Sequence, residues 1–429
     1  MNSNILALTP LVVTFLIFPC IAWLVLRLAP ASVRMPVFAL VNIALALLLT
    51  EIAASKDVRL KQVTEFIPVG IAFAAIYLLL VALQYANLIW GRRGSARTLA
   101  VGVVYPLALL AVIKYLPAVW SPIQNAVPGF PGKHAGEFFL GISYMSFRLT
   151  HMAYEIRNGT AEWPTFWEFL SFAFFVPTFS IGPISPFSRF QKSLALSVSV
   201  ATAGLAWLRI LVGATKYLVL ANIVNQYSYS GLLLDRHPHT VLDLIIAIFA
   251  FAFFLYFNFS GYCDMAIGVS ALIGISVMEN FDDPFISRNL QEFWNRWHIS
   301  LSTWIRDLMF TPLSKALIRR FGPRSANHSI AFSIFAVFVV LGIWHGVGWN
   351  FVVFGMWHGI GLAVCHYYTV FLKKRLGKQG YARYLANRWI EAAGVVATIV
   401  YFSCGLFLLA NSMSQMRQIF RSLGWGILG

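Results

Sequence analysis

Long apolar runs recur along the whole chain, separated by short polar breaks. They fall at about 5–27, 36–54, 66–90, 98–117, 137–154, 166–186, 198–226, 241–275, 329–347, 350–372 and 390–411. Most approach the length of about 20 residues that a helix needs to cross a bilayer. The pattern predicts an all-α polytopic integral membrane protein with about 10–11 transmembrane helices plus re-entrant or interfacial pieces. With no internal repeat or low-complexity linker, the simplest organisation is a single integral-membrane domain over 1–429. The first run follows only four uncharged residues, Met1–Asn4. A secretory signal carries a basic segment there, so this run is expected to be retained as a span.

Composition sharpens this reading. Of 429 residues, 59% are hydrophobic and 11% charged, against about 25% charged in soluble proteins. A globular surface needs more polar cover than that. A soluble enzyme, a disordered chain and a nucleic-acid-binding domain are therefore excluded. The 32 Lys+Arg against 16 Asp+Glu give a net charge of +16. In a membrane protein such an excess gathers in cytoplasmic loops and against anionic lipid. Cys20, Cys263, Cys365 and Cys404 lie in apolar stretches without metal-ligand spacing, so neither a disulfide nor a metal site is expected.

Basic residues also set the orientation. Residues 27–35, 91–97, 276–328 and 373–388 are basic and are placed in the cytoplasm, with the N-terminus outside. Eleven full crossings would put 276–328 outside. Parity returns if 166–186, which holds Pro177, Gly182, Pro183 and Pro186, is a broken or re-entrant element. The stretch 241–275 is open between one long span and two short helices.

Residues 276–328 are the least membrane-like part of the chain. Asp282, Asp283 and Pro284 suit a helix entry. From Asn289, Trp294, Trp297, His298, Leu301, Trp304, Ile305 and Leu308 recur at helical spacing, interrupted by Asn295, Arg296, Ser302, Arg306 and Asp307. An interfacial helix has this character. So does a site, because polar groups at membrane depth are costly and mark function.

Among the nine histidines, His134, His237, His239 and His328 suit solvated surface, and His151 and His366 suit interfacial or packing roles. His345 differs. It ends an apolar span among Gly342, Gly346 and Gly348, where the backbone can approach another segment closely. His358 repeats the Trp-His-Gly triplet thirteen residues on. That is about 220° round an ideal helix, so it is the weaker candidate. No P-loop, Rossmann fingerprint or nucleophile elbow occurs. Asp243 and Asp264 are thin material for an ion-coupled relay.

EFWNRWHISLSTWIRDLMF (292–310) followed by GIWHG (342–346) resembles the membrane-bound O-acyltransferase family. More narrowly it resembles the bacterial branch of alginate O-acetylation proteins and teichoic-acid D-alanyl transferases. Residues 141–159, 175–190 and 256–275 support the likeness, which covers about 140–375 as the catalytic core. The 141–190 motifs are more similar to the D-alanyl type. They depart from it at Ser185-Pro186, where that type has an Asp-Arg-like pair.

The resemblance implies a ring of transmembrane helices around a thin centre with a tunnel, in the bacterial cytoplasmic (inner) membrane. It implies His345 as catalytic histidine and His298 as the second hallmark residue. The activity so implied is transfer of an acetyl or D-alanyl group to a hydroxyl of an envelope polysaccharide, teichoic acid or glycolipid. The donor is a cytoplasmic thioester on coenzyme A or on a carrier protein's phosphopantetheine arm. No cofactor is bound and no acyl-enzyme is required.

On this reading His345 is a general base, kept neutral by desolvation. His298 orients the acceptor or helps stabilise the oxyanion. Asn295 and Ser302 lie near it and are candidate hydrogen-bond donors. Lys315, Arg319, Arg320 and Arg324 follow closely, to receive either lipid phosphate or an acidic carrier protein or coenzyme A phosphates. Two other classes stay open: a transporter, and a relay serving a separate extracytoplasmic acyltransferase.

Overall fold

The computed structural model describes residues 9–57, 63–93, 96–116, 120–126, 140–194, 199–234 and 239–424. Among the described residues regular structure is helical, apart from one isolated antiparallel bridge between Phe281 and Trp297. Nine of the described helices are long and apolar enough to cross a membrane. They are Thr9–Leu28, Ala31–Ala53, Gly70–Arg93, Thr98–Tyr115, Val200–Leu233, Val241–Leu272, Pro323–His345, Trp349–Ala386 and Arg388–Ala410. Each coincides with an expected run. This is an all-α, multi-pass membrane protein.

Two expected runs are built differently. Of 137–154, residues 137–139 lie outside the described residues, and the remainder begins a 16-residue helix, Ile142–Arg157. At 1.5 Å per residue it is about 24 Å long, short of the ~30 Å apolar thickness. It buries Arg148 and Glu155 along with its apolar positions. The run 166–186 is broken, as its prolines predict. A capping box at Thr165 and Glu168 starts the helix Phe166–Ala173; a turn of 3-10 helix, Val176–Thr178, follows, and a new helix begins only at Phe187.

One reading left open is decided, and two others change. The stretch 241–275 forms one 32-residue helix, Val241–Leu272, rather than two short ones. The basic stretch 373–388, expected as a loop, mostly extends the helix Trp349–Ala386, which bends at Gly377 with φ +61°. Acidic Asp282 and Asp283 precede only a single 3-10 turn, Pro284–Ile286.

The chain packs as two compact units, residues 1–212 with 262–278, and residues 213–261 with 279–429. In the first, the broken segment is held by polar side chains. Arg148 donates to the carbonyls of Phe172 (3.1 Å) and Ala173 (3.0 Å), and Asn42 Oδ1 accepts from the Val176 amide (3.0 Å). Ser185, at the point of departure from the D-alanyl pattern, is buried, and its hydroxyl oxygen accepts from the Met278 amide (3.3 Å).

The second unit has an aromatic core of Phe293, Trp297, Phe354 and Phe402 with Ala252 and Leu406. Beside it, the helix ending at His345 and the helix starting at Trp349 form a hairpin. Gly342 and Gly355 make their backbones touch: a Cβ on Gly355 would lie 3.1 Å from Gly342 Cα and collide with the Phe338 carbonyl. Because backbone cannot move aside as a side chain can, Gly355→Ala is expected to destabilise by the ~1–3 kcal/mol typical of overpacking. Gly204→Ala, which meets nothing within 4 Å, is the control. Thermal unfolding in detergent should separate the two, and equal midpoints would refute the tight hairpin.

Candidate active site

Both histidines singled out in the sequence belong to the second unit. The single helix expected from Asn289 is two, Leu290–Arg296 and Ile299–Ile305. Asn289 caps the first through its Oδ1, which accepts from the Glu292 amide at 2.9 Å. Between them Trp297 is extended and His298 is left-handed, with φ +48°. That conformation is uncommon outside glycine and costs of order 1–3 kcal/mol.

The surroundings compensate for it. Residues 280–282 run alongside the break: Asp282 N–H donates to the Arg296 carbonyl and Ile299 N–H to the Asn280 carbonyl, each at 3.0 Å. Helical periodicity concealed this break. Phe293, Trp297, Leu301 and Trp304 are buried on both sides of it.

The His298 ring is 8% exposed and meets the Phe259 ring edge-on at 4.7 Å. Its Nδ1 lies 3.1 Å from Asn280 Oδ1. The same oxygen accepts from the Ser300 amide (3.1 Å) and the Ser300 hydroxyl (2.8 Å). A backbone N–H can only donate, so the shared atom is an acceptor and His298 Nδ1 carries a proton. In the neutral ring the lone pair is then on Nε2. Burial, with nearby His345 as the smaller cause, pushes the His298 pKa down to about 3. The ring is neutral at physiological pH.

His298 lines a cavity of about 470 Å³. Asn295, Ser302 and Arg306 line it too, so both weaker sequence candidates are brought to the same cavity. The Pro323–His345 helix contributes Ile330, Ile334, Val337, Phe338 and Leu341. Leu362 and His366 come from the next helix. Their four-residue spacing puts them on one helix face, which is the signal that could have found His366, assigned above to packing.

His345 ends its helix one turn beyond Leu341, on the face that lines the cavity, but is not itself part of that lining. Its ring packs against Trp344 (4.7 Å) and Phe354 (5.5 Å). The side chain is exposed, so the desolvation expected at His345 acts on His298 instead. The chain reverses after Gly346, which removes the single-helix argument against His358. The Phe354 ring lies near both imidazoles, 4.8 Å from that of His358. His358 is fully buried, and neither ring nitrogen has a hydrogen-bond partner among the described residues.

Lys315, Arg319, Arg320 and Arg324 are exposed, and the cavity lining includes none of them. His328, read as solvated, pairs through Nδ1 with the Tyr367 hydroxyl at 2.6 Å. His134 and His237 lie outside the described residues. Among the described residues no group of three His, Cys, Asp or Glu is placed to hold a metal ion.

The model of the membrane-bound O-acyltransferase family matches residues 111–408. The chain belongs to this family. It is 36% identical to the teichoic acid D-alanyltransferase of Streptococcus thermophilus over 276 residues, 61% of this chain and 65% of that protein. With the teichoic acid D-alanyltransferase of Bacillus subtilis it shares 28% over 317 residues, 72% of this chain and 78% of that one. With the probable alginate O-acetylase AlgI of Pseudomonas aeruginosa it shares 31% over 271 residues, 60% of this chain and 49% of the other. The chain thus spans just under two thirds of the streptococcal relative and about half of the Pseudomonas one.

For an O-acyltransferase family member, the arrangement supplies a neutral acceptor nitrogen and polar neighbours on one apolar cavity. It also ties stability to pH. His298 has its pKa lowered from 6.5 to about 3 on folding, so between these values the unfolded chain holds the extra proton. The contribution of the neutral His298 ring to stability is full above about pH 6.5 and falls as the pH drops toward 3. Melting in detergent between about pH 7.5 and 4.5 should fall more steeply for the wild type than for His298→Asn. Parallel curves would show that this ring does not couple to folding.

Proposed function

We propose that this protein transfers a small acyl group, acetyl or D-alanyl, from a cytoplasmic thioester to a hydroxyl of an envelope polysaccharide, teichoic acid or glycolipid. The observation that carries the reading is the neutral His298 lining a cavity, with His345 one helical turn beyond Leu341, which lines the same cavity. The substrate classes follow the names of the relatives, a D-alanyltransferase of teichoic acid and an alginate O-acetylase.

The chemistry is a direct exchange. The acceptor oxygen bonds to the acyl carbon, the carbon–sulfur bond breaks, and the thiol leaves. An alcohol is a weak nucleophile at neutral pH, and an imidazole that takes its proton is worth roughly 10²–10⁴-fold. His345 takes that proton and returns it to the departing sulfur. His298 Nε2 accepts from a neighbouring O–H or N–H of the bound substrates and orients them. In this tautomer it has no hydrogen on Nε2 for an oxyanion. That task goes to Asn295 and Ser302, which share the cavity.

The donor arrives through the family's passage from the cytoplasm. Lys315, Arg319, Arg320 and Arg324 are exposed on and just after the helix Thr311–Phe321. They attract an acidic carrier protein or coenzyme A phosphates. The membrane in which this occurs is the bacterial cytoplasmic (inner) membrane.

Purified protein given a donor with a labelled acyl group should label the acceptor glycan. His345→Ala, at an exposed helix end, should lower the rate at least about 10²-fold while yield and melting stay close to wild type, and His298→Ala should lower it as much in the fraction that folds. Wild-type ester formation by either variant would remove the role given to it. Transfer only when a second protein is added would make the chain a relay instead. Arg319→Glu with Arg320→Glu should weaken donor capture at low salt, with the difference shrinking at high salt. Unchanged capture would leave these residues as lipid contacts.

A further inference from the structure

We propose that Asn280 is a positioning residue for acyl transfer: it fixes the His298 imidazole in the one tautomer that leaves Nε2 free to accept from substrate. This role rests on the acyl-transfer reading above. Asn280 lies eighteen residues before His298, outside the periodic pattern of the short helices, and is 1% exposed. It grips His298 twice. Its side-chain oxygen takes the ring's Nδ1–H, and its backbone carbonyl takes the amide of the next residue, Ile299. The second bond holds the left-handed turn, and the first holds the ring within it.

Three donors converge on the Asn280 side-chain oxygen, from His298 and twice from Ser300. The Ser300 amide hydrogen cannot be reversed, so the amide of Asn280 cannot flip without facing a donor with a donor. The proton on His298 Nδ1 is fixed by that constraint and not by the ring's own small preference between tautomers. An amide oxygen suits the purpose better than a carboxylate. A carboxylate at this buried position would favour the imidazolium, which has a hydrogen on both nitrogens and no lone pair to offer. Where such a partner orients a metal-bound imidazole, its loss costs roughly 10–100-fold in affinity or activity, and a similar scale is expected here.

The test pairs turnover with a signal that needs none. Protein with 15N-labelled histidine is compared with His298→Gln to assign the His298 ring. Wild type is expected to show protonated Nδ1 and bare Nε2, and Asn280→Ala to show a mixture of tautomers. Asn280→Ala should lose about 10–100-fold in kcat with little change in donor KM. Asn280→Asp, assayed near pH 8, keeps the acceptor oxygen and should stay within about tenfold of wild type. A bare Nδ1 in the wild type overturns the proposal, as does full turnover by a folded Asn280→Ala, or an Asn280→Asp that folds yet is as slow as Asn280→Ala. Should Asn280→Ala not fold, the wild-type nitrogen signal and the Asp variant decide. If the wild type shows the expected tautomer but transfers no acyl group from any thioester, the acyl-transfer reading fails while the tautomer assignment stands.

Discussion

A backbone amide or carbonyl taken out of water must find a partner, and within an apolar bilayer there is no solvent to supply one. The places where this chain departs from continuous helix are governed by that requirement. Arg148 and Asn42 bind the freed groups around 172–178 in the first unit. Residues 280–282 do the same for the break at Trp297–His298 in the second. Near the last long span, Asn350 Nδ2 donates to the Leu408 carbonyl at 3.3 Å. Arg148, Asn42 and Asn280 are buried polar side chains whose partners include backbone groups at such interruptions.

One interruption carries the candidate chemistry. A continuous helix through 289–310 would set the side chain of His298 by helical geometry alone. The left-handed turn reorients it, and Asn280 and Ser300 lock the ring. The glycine contact between the two helices of the following hairpin plays the corresponding part for His345. Gly342 and Gly355 let two backbones meet, and the reversal at Gly346–Gly348 leaves the imidazole at an exposed helix end. One histidine is consequently buried and neutral and the other open, a division of environments that suits one to orienting and the other to moving a proton.

Much of the fold was legible in the chain. The nine long helices among the described residues follow from runs of apolar residues, because the bilayer requires length and hydropathy whatever the neighbours are. The motif around His298 and the Trp-His-Gly at 344–346 drew attention to the helix break beside the cavity and to the hairpin that follows it. Periodicity failed at Ile142–Arg157, where apolar spacing hid a short helix burying Arg148 and Glu155. It failed again at Trp297–His298, since both flanking helices keep the same buried face. His366 was passed over because its four-residue spacing from Leu362 gains meaning only beside the cavity that both residues line.

The sequence by itself determined the solvent, the spans and the segment that does not belong in lipid, since these depend on local composition and on a fixed rise per residue. Only the tertiary structure decided which histidine is desolvated, where its proton sits and which polar residues share its cavity. Those depend on contacts across 18 residues, as between Asn280 and His298, or across a chain reversal, as between His345 and Phe354. Hydropathy is summed along the chain. A proton's position is set by the one atom facing it, and no local pattern names that atom.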